Sequence, residues 1–255
     1  MSTTRRVTAL SAGLLAVLGA AAPGVAVSAP AFDAPMQLSS PAGHHMVAQV
    51  GGIRNSTSSN WSGYAATGAK FTSVKASWVQ PTGRCGSATT YSSFWIGLDG
   101  DGSNSVEQTG SEVDCSGGSP QYYAWYEMYP AYPVNFSNTV RPGDHFTSSV
   151  TESTGGKFTL VLSDTTQGWT RTVNKTLSSA ALASAEVIAE APSSSSGVLP
   201  LTNFGTASFT GATANGQPIG NFSPDRINMA SGSTTKATTS ALSGGSAFTV
   251  TWKHS

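Results

Sequence analysis

Short runs of β-branched and aromatic residues alternate with polar ones along most of this chain, and Gly, Pro, Ser and Asn divide them. In KFTLVLSD (157–164) the alternation puts Phe158, Leu160 and Leu162 on one face, since strand side chains point to opposite sides in turn. Comparable runs occupy 71–80, 92–98, 121–129, 145–153, 168–176, 184–190, 206–211 and 247–253, and each predicts a strand. The Ala-rich stretch 177–190 reads as a turn followed by a strand. No long helical period follows the first thirty or so residues. Many short strands with short turns predict an all-β fold, an antiparallel sandwich or barrel.

The N-terminus breaks this pattern. Arg5 and Arg6 precede an apolar stretch from Ala9 to Ala22, and small residues follow. That order is the signature of a secretory signal peptide, expected over 1–29. The apolar run is too short for a good membrane span. Residues 30–54 are rich in Ala, Pro, Gly and Ser without a steady period, and they read as a leader, propeptide or linker. One domain is expected over 55–255.

Only 10% of residues are charged and the formal net charge is zero. No basic stripe suits nucleic acid. Few charges also mean few carboxylates whose protonation would unfold the chain in acid. These features suit an extracellular, monomeric protein with no membrane attachment after signal cleavage. The two cysteines, Cys85 and Cys115, are an even count in an exported chain and point to one disulfide, with two free thiols as the alternative. Their spacing and neighbours suggest no metal site, and no cofactor is expected.

Two stretches carry the candidate chemistry. FWIGLDGDGSNSVEQTG (94–110) presents the amide of Gln108, and SAEVIAEAP (184–192) presents the carboxylate of Glu190. Strand alternation sets Glu186, Ile188 and Glu190 on one face, and Tyr123, Trp125 and Glu127 on one face. Glu127 and Glu186 read equally as tuned carboxyls or as buried structural acceptors. DGDGSNS (99–105) is not a calcium loop, because Asn104 stands where Gly belongs and Gly110 where Glu belongs. It reads as a tight turn in which Asp99 and Asp101 accept turn amides. No Gly-x-Ser-x-Gly elbow and no paired Asp-Thr/Ser-Gly elements occur, so a serine or aspartic peptidase is disfavoured.

NWSGY (60–64), WIGLDGDG (95–102), EQTG (107–110), AWYEMYP (124–130) and AEVIAE (185–190) occur in the order seen in the glutamic peptidases, or eqolisins, and the chain resembles that family over 60–210. The resemblance implies a lectin-like jelly-roll sandwich of two antiparallel sheets. It implies peptide-bond hydrolysis in acid without metal or cofactor, on polypeptide substrates. It carries the family's Gln and Glu dyad onto Gln108 and Glu190. Ala191 and Pro192 depart from the family, which often has an acidic residue after the Glu. Trp61, Trp95, Trp125 and Tyr126 are expected to line the cleft, with Glu127 and Asp99 as substrate-side or supporting groups. The competing reading from the same aromatics and carboxylates is a polysaccharide-binding or glycoside-hydrolysing jelly roll, with Glu127 and Glu190 as the acid pair.

Overall fold

The computed structural model describes residues 54–255, and the expected signal peptide and most of the expected leader lie outside them. Strands dominate. In chain order they are β1 (Arg54–Ser58), β2 (Trp61–Thr67), β3 (Ser73–Val79), β4 (Thr90–Leu98), β5 (Val106–Ser116) and β6 (Ser119–Tyr129). Next come β7 (Val134–Asn135), β8 (His145–Ser153), β9 (Lys157–Asp164), β10 (Trp169–Thr176), β11 (Ser184–Glu190), β12 (Ser193–Ser194) and β13 (Gly197–Val198). The last are β14 (Thr206–Ala214), β15 (Gln217–Pro218), β16 (Asp225–Ser231), β17 (Thr234–Thr239) and β18 (Phe248–Trp252), with one 3-10 turn at Ile219–Phe222.

One hydrogen-bonded ladder runs β10-β9-β8-β3-β14-β18-β17-β16-β2-β11-β4-β5-β6-β7. It doubles over on itself. β3, β8 and β9 lie against β4 and β5, β14 lies against β11, and β18 lies against β2. The result is the expected sandwich. Every pairing is antiparallel except β1 beside β16 and an isolated bridge between Tyr91 and Leu201. Alternating residues fill the space between the layers. Phe94, Ile96, Leu98 and Val187 meet Val74, Trp78, Phe146, Leu160 and Phe209, all buried. Phe158, Leu160 and Leu162 share that core, as their spacing predicted.

β4, β5 and β11 are unusual because they are buried on both faces. Their outer face carries a second apolar cluster of Trp61, Ala65, Trp95, Val106, Trp125, Ile188 and Ile227. Trp61 meets Trp95 edge-on, with centroids 4.9 Å apart. Gly110 makes the tight fit possible, because a Cβ there would stand 2.4 Å from the Phe94 carbonyl oxygen and 2.6 Å from Trp95 Cβ.

Cys85 and Cys115 form the expected disulfide, with Cα atoms 5.3 Å apart. It ties the segment before β4 to the end of β5.

Candidate active site on the outer sheet face

Register decides which side chains share this face. β11, β4, β5 and β6 lie side by side, so each row crosses four strands. The first row is Glu186, Gly97, Gln108 and Glu127. The second is Ile188, Trp95, Gly110 and Trp125. The third is Glu190, Ser93, Glu112 and Tyr123. Gln108 and Glu190 therefore lie on one face, on either side of the tryptophan row. Two strand steps and four residues separate them, a diagonal of roughly 16 Å between Cα atoms in a flat sheet.

Both groups are fully buried and held by neighbours. Trp95 Nε1 donates to Glu190 Oε2 at 2.8 Å, and Asn60 Nδ2 donates to Oε1 at 3.2 Å. Asn60 is positioned in turn by Ser58, whose hydroxyl donates to its side-chain oxygen at 2.8 Å. Gln108 Nε2 donates to Glu127 Oε2 at 2.7 Å, and Gln108 Oε1 has no hydrogen-bond partner. The amide thus has one Nε2 hydrogen beyond the one pointed at Glu127.

The same end of the molecule gathers acids. Burial lifts Glu186 well above the usual carboxyl range against a hydrogen bond from Ser184, and Asp101, Asp99 and Glu107 push it further up. Burial raises Glu107 to about 8, Ser105 works against the shift, and Asp99 adds to it. Asp101 rises to about 6 through burial and the nearby Asp225, partly offset by Arg54. At the other end of the face, burial raises Asp114 to about 7, against a hydrogen bond from Glu112.

The expected site residues divide as follows. Trp61, Trp95 and Trp125 stand on this face with Gln108, Glu127 and Glu190. Tyr126 does not. It is paired with Thr109 on the opposite face of β6, packs against Phe136 and lies under the Lys175 ammonium. Strand alternation forces this, because Trp125 and its sequence neighbour cannot point the same way. Asp99 also does something other than expected. It adopts a left-handed backbone (φ 68°), and its carboxylate accepts the amides of Leu182 and Ala183 at 2.8 and 2.7 Å. It clamps the approach to β11 rather than capping its own turn, where the Ser103 hydroxyl accepts the Gly100 amide instead. Glu127 is bonded to Gln108 and lies two rows from Glu190, an arrangement unlike a facing glycosidase pair. Asn60 was missed as a functional residue, although it opens the NWSGY motif.

An all-β sandwich with an amide and several carboxyls buried among tryptophans on one sheet face defines a hydrolase of the carboxyl type rather than a serine or cysteine one. The chain belongs to the Peptidase A4 family, whose model matches residues 59–252, and it is a glutamic endopeptidase. It is 29% identical over 189 residues to aspergillopepsin-2 of Aspergillus niger, covering 64% of this chain and 67% of that protein. It is 33% identical over 122 residues to scytalidopepsin B of Scytalidium lignicola, covering 47% of this chain and 45% of that protein. Among solved structures it resembles scytalido-glutamic peptidase with a peptide-based transition-state analogue, at TM-score 0.66 and 25% identity, over 76% of this chain and 98% of that one. It also resembles aspergilloglutamic peptidase of Aspergillus niger, at TM-score 0.57 and 25% identity, over 64% of this chain and 99% of that one.

Proposed function

We propose that this endopeptidase is secreted, works in acid, and cleaves peptide bonds with Gln108 and Glu190 as its dyad. The observation that carries the reading is the shared face. An amide and a carboxylate flank the tryptophan row, and Trp95 and Asn60 hold the carboxylate by its two oxygens.

In this reading ionised Glu190 takes a proton from a water molecule, and the oxygen adds to the scissile carbonyl carbon. The carbonyl oxygen becomes an oxyanion that accepts the free Nε2 hydrogen of Gln108. Glu190 returns its proton to the amide nitrogen, the C–N bond breaks, and a carboxylic acid and an amine leave. One oxyanion donor of this kind is worth about 10²–10³ in rate. An ordinary glutamate ionises near about 4.3, so a carboxylate base exists in mild acid. Trp61, Trp95 and Trp125 form a buried apolar wall around the dyad. Secretion rests on the charged, apolar and small-residue order of the first 29 residues.

The test uses Glu190→Gln and Gln108→Ala proteins with unchanged circular dichroism. Both are expected to lose casein cleavage at about pH 3–5, by at least about 10²-fold for Gln108→Ala. Wild-type turnover in either variant removes that residue from the dyad.

A further inference from the structure

Gln108 has a nearer carboxyl than Glu190. Glu186 stands in its own row, on the far side of Gly97, and the two Cα atoms are about 9.6 Å apart at ordinary strand spacing. Gly97 contributes no side chain to fill that interval. A Cβ there would meet Trp95 Cζ3 at 3.0 Å, Gln108 Cβ at 3.1 Å and Val106 Cγ1 at 3.2 Å, so the Trp95 ring edge and β5 already close in over Gly97 from their side. Among the described residues, Oε1 of Gln108 and both oxygens of Glu186 lack a hydrogen bond of good geometry, and the Ser184 hydroxyl two residues along β11 is the polar group near enough to act on the Glu186 carboxyl. Glu186 and Gln108 are each 0% exposed.

Unpaired buried oxygens are costly, and two acceptors facing each other are worse than one. A single proton removes the conflict. A neutral carboxylic acid is a donor, and Gln108 Oε1 is the acceptor it lacks. The surroundings favour the neutral form. The titratable groups toward Glu186 are Asp99 and Asp101 in the turn after β4, Glu107 on β5, and Asp225 on β16 beyond Ala65. All are acids, and Arg54 acts on Asp101 and Asp225. Burial and these neighbours both lift the Glu186 carboxyl well above its usual range.

We propose that Glu186 is a positioning residue, an uncharged acid that donates its O–H to Gln108 Oε1, directly or through one bridging water. The Gln108 amide is then gripped at both ends. Glu127 fixes Nε2 and Glu186 fixes Oε1. The amide cannot flip, and its second Nε2 hydrogen stays aimed at the substrate oxygen. The inference rests on Gln108 serving as the oxyanion donor.

Glu186→Gln and Glu186→Leu test it. Glutamine mimics the neutral acid, because its NH₂ donates where the O–H did. Leucine fills space without a donor. With a fluorogenic peptide in mild acid, Glu186→Gln is expected to keep kcat within about threefold of wild type. Glu186→Leu is expected to lose roughly ten- to hundredfold in kcat with KM nearly unchanged, because a slack oxyanion donor acts on the transition state. Infrared difference spectra between wild type and Glu186→Gln at about pH 6 supply a readout independent of turnover and of the leucine variant's folding. They are expected to show one carboxylic-acid carbonyl band lost. A Glu186→Gln protein as inactive as Glu190→Gln overturns the proposal, since Glu186 then works as a carboxylate. Full kcat in a folded Glu186→Leu protein, or no lost carbonyl band, also overturns it. Failure of the dyad itself is distinguishable, because it appears as wild-type turnover in Gln108→Ala.

Discussion

Glu107 offers a quantitative test of how the buried acids set stability. It sits on β5 between Val106 and Gln108, is fully buried, and has Ser105 and Asp99 as its polar neighbours. Its folded pKa is raised from 4.5 to about 8, chiefly by burial. Between those values the folded chain holds a proton that the unfolded chain releases, so stability falls as pH rises. The contribution is intact below about pH 4.5 and is lost progressively up to about pH 8. At about 1.4 kcal/mol per unit, the loss by pH 7 is about 3 kcal/mol. Glu107→Gln keeps the shape and removes the titration. Urea unfolding followed by tryptophan fluorescence, at pH 4 and at pH 7, measures the variant against wild type. The variant's advantage should grow by about 3 kcal/mol from the lower to the higher pH. An advantage that is the same at both pH values refutes the assignment of a neutral buried Glu107.

Other perturbations have equally definite outcomes. Wild type itself should lose stability from mild acid toward neutrality in urea titrations, because Asp101, Asp114, Glu186 and Asp225 are displaced in the same upward direction as Glu107. Trp95→Phe keeps most of the ring but removes the donor to Glu190, and kcat/KM should fall by about tenfold or more, as for a lost hydrogen bond to a charged group. Cys85→Ser with Cys115→Ser opens a loop with a sequence separation of 30, and the chain-entropy model gives a loss of about 3–4 kcal/mol, visible as a lower melting temperature. Gly110→Ala drives a methyl into the Phe94 carbonyl, and soluble folded protein should fall sharply in expression trials.

Strands whose two faces differ in polarity were legible in the sequence. Lys157–Asp164 and His145–Ser153 match their predicted bounds because one face meets the core and the other meets water. β5 escaped notice, although it carries Gln108. Its two faces are both buried and both contain polar residues, with Val106, Gln108, Gly110 and Glu112 on one side and Glu107, Thr109, Ser111 and Val113 on the other. No alternation survives such a pattern. β2 was missed for a related reason, since WSGYAAT is small-residue-rich and buried almost throughout. Within the site, alternation gave the grouping of Glu186, Ile188 and Glu190. The row joining Glu186 to Gln108 needed register, which links strands far apart in the chain. The clamp from Asp99 to residues 182 and 183 is likewise a long-range contact that no local spacing encodes.

The slot that β11 occupies bears on when this enzyme first becomes dangerous. β11 is inserted between β2 and β4, both synthesised much earlier, and β14 pairs with the much earlier β3 on one side and the later β18 on the other. Such non-local topology slows folding, because loops must close before any pairing is rewarded. A nascent chain that has passed Gln108 but not Ser184 lacks the strand that carries Glu186 and Glu190 and fills the slot. On the proposed dyad, proteolytic power therefore waits until residue 190 of 255 has been made and β11 has entered its slot.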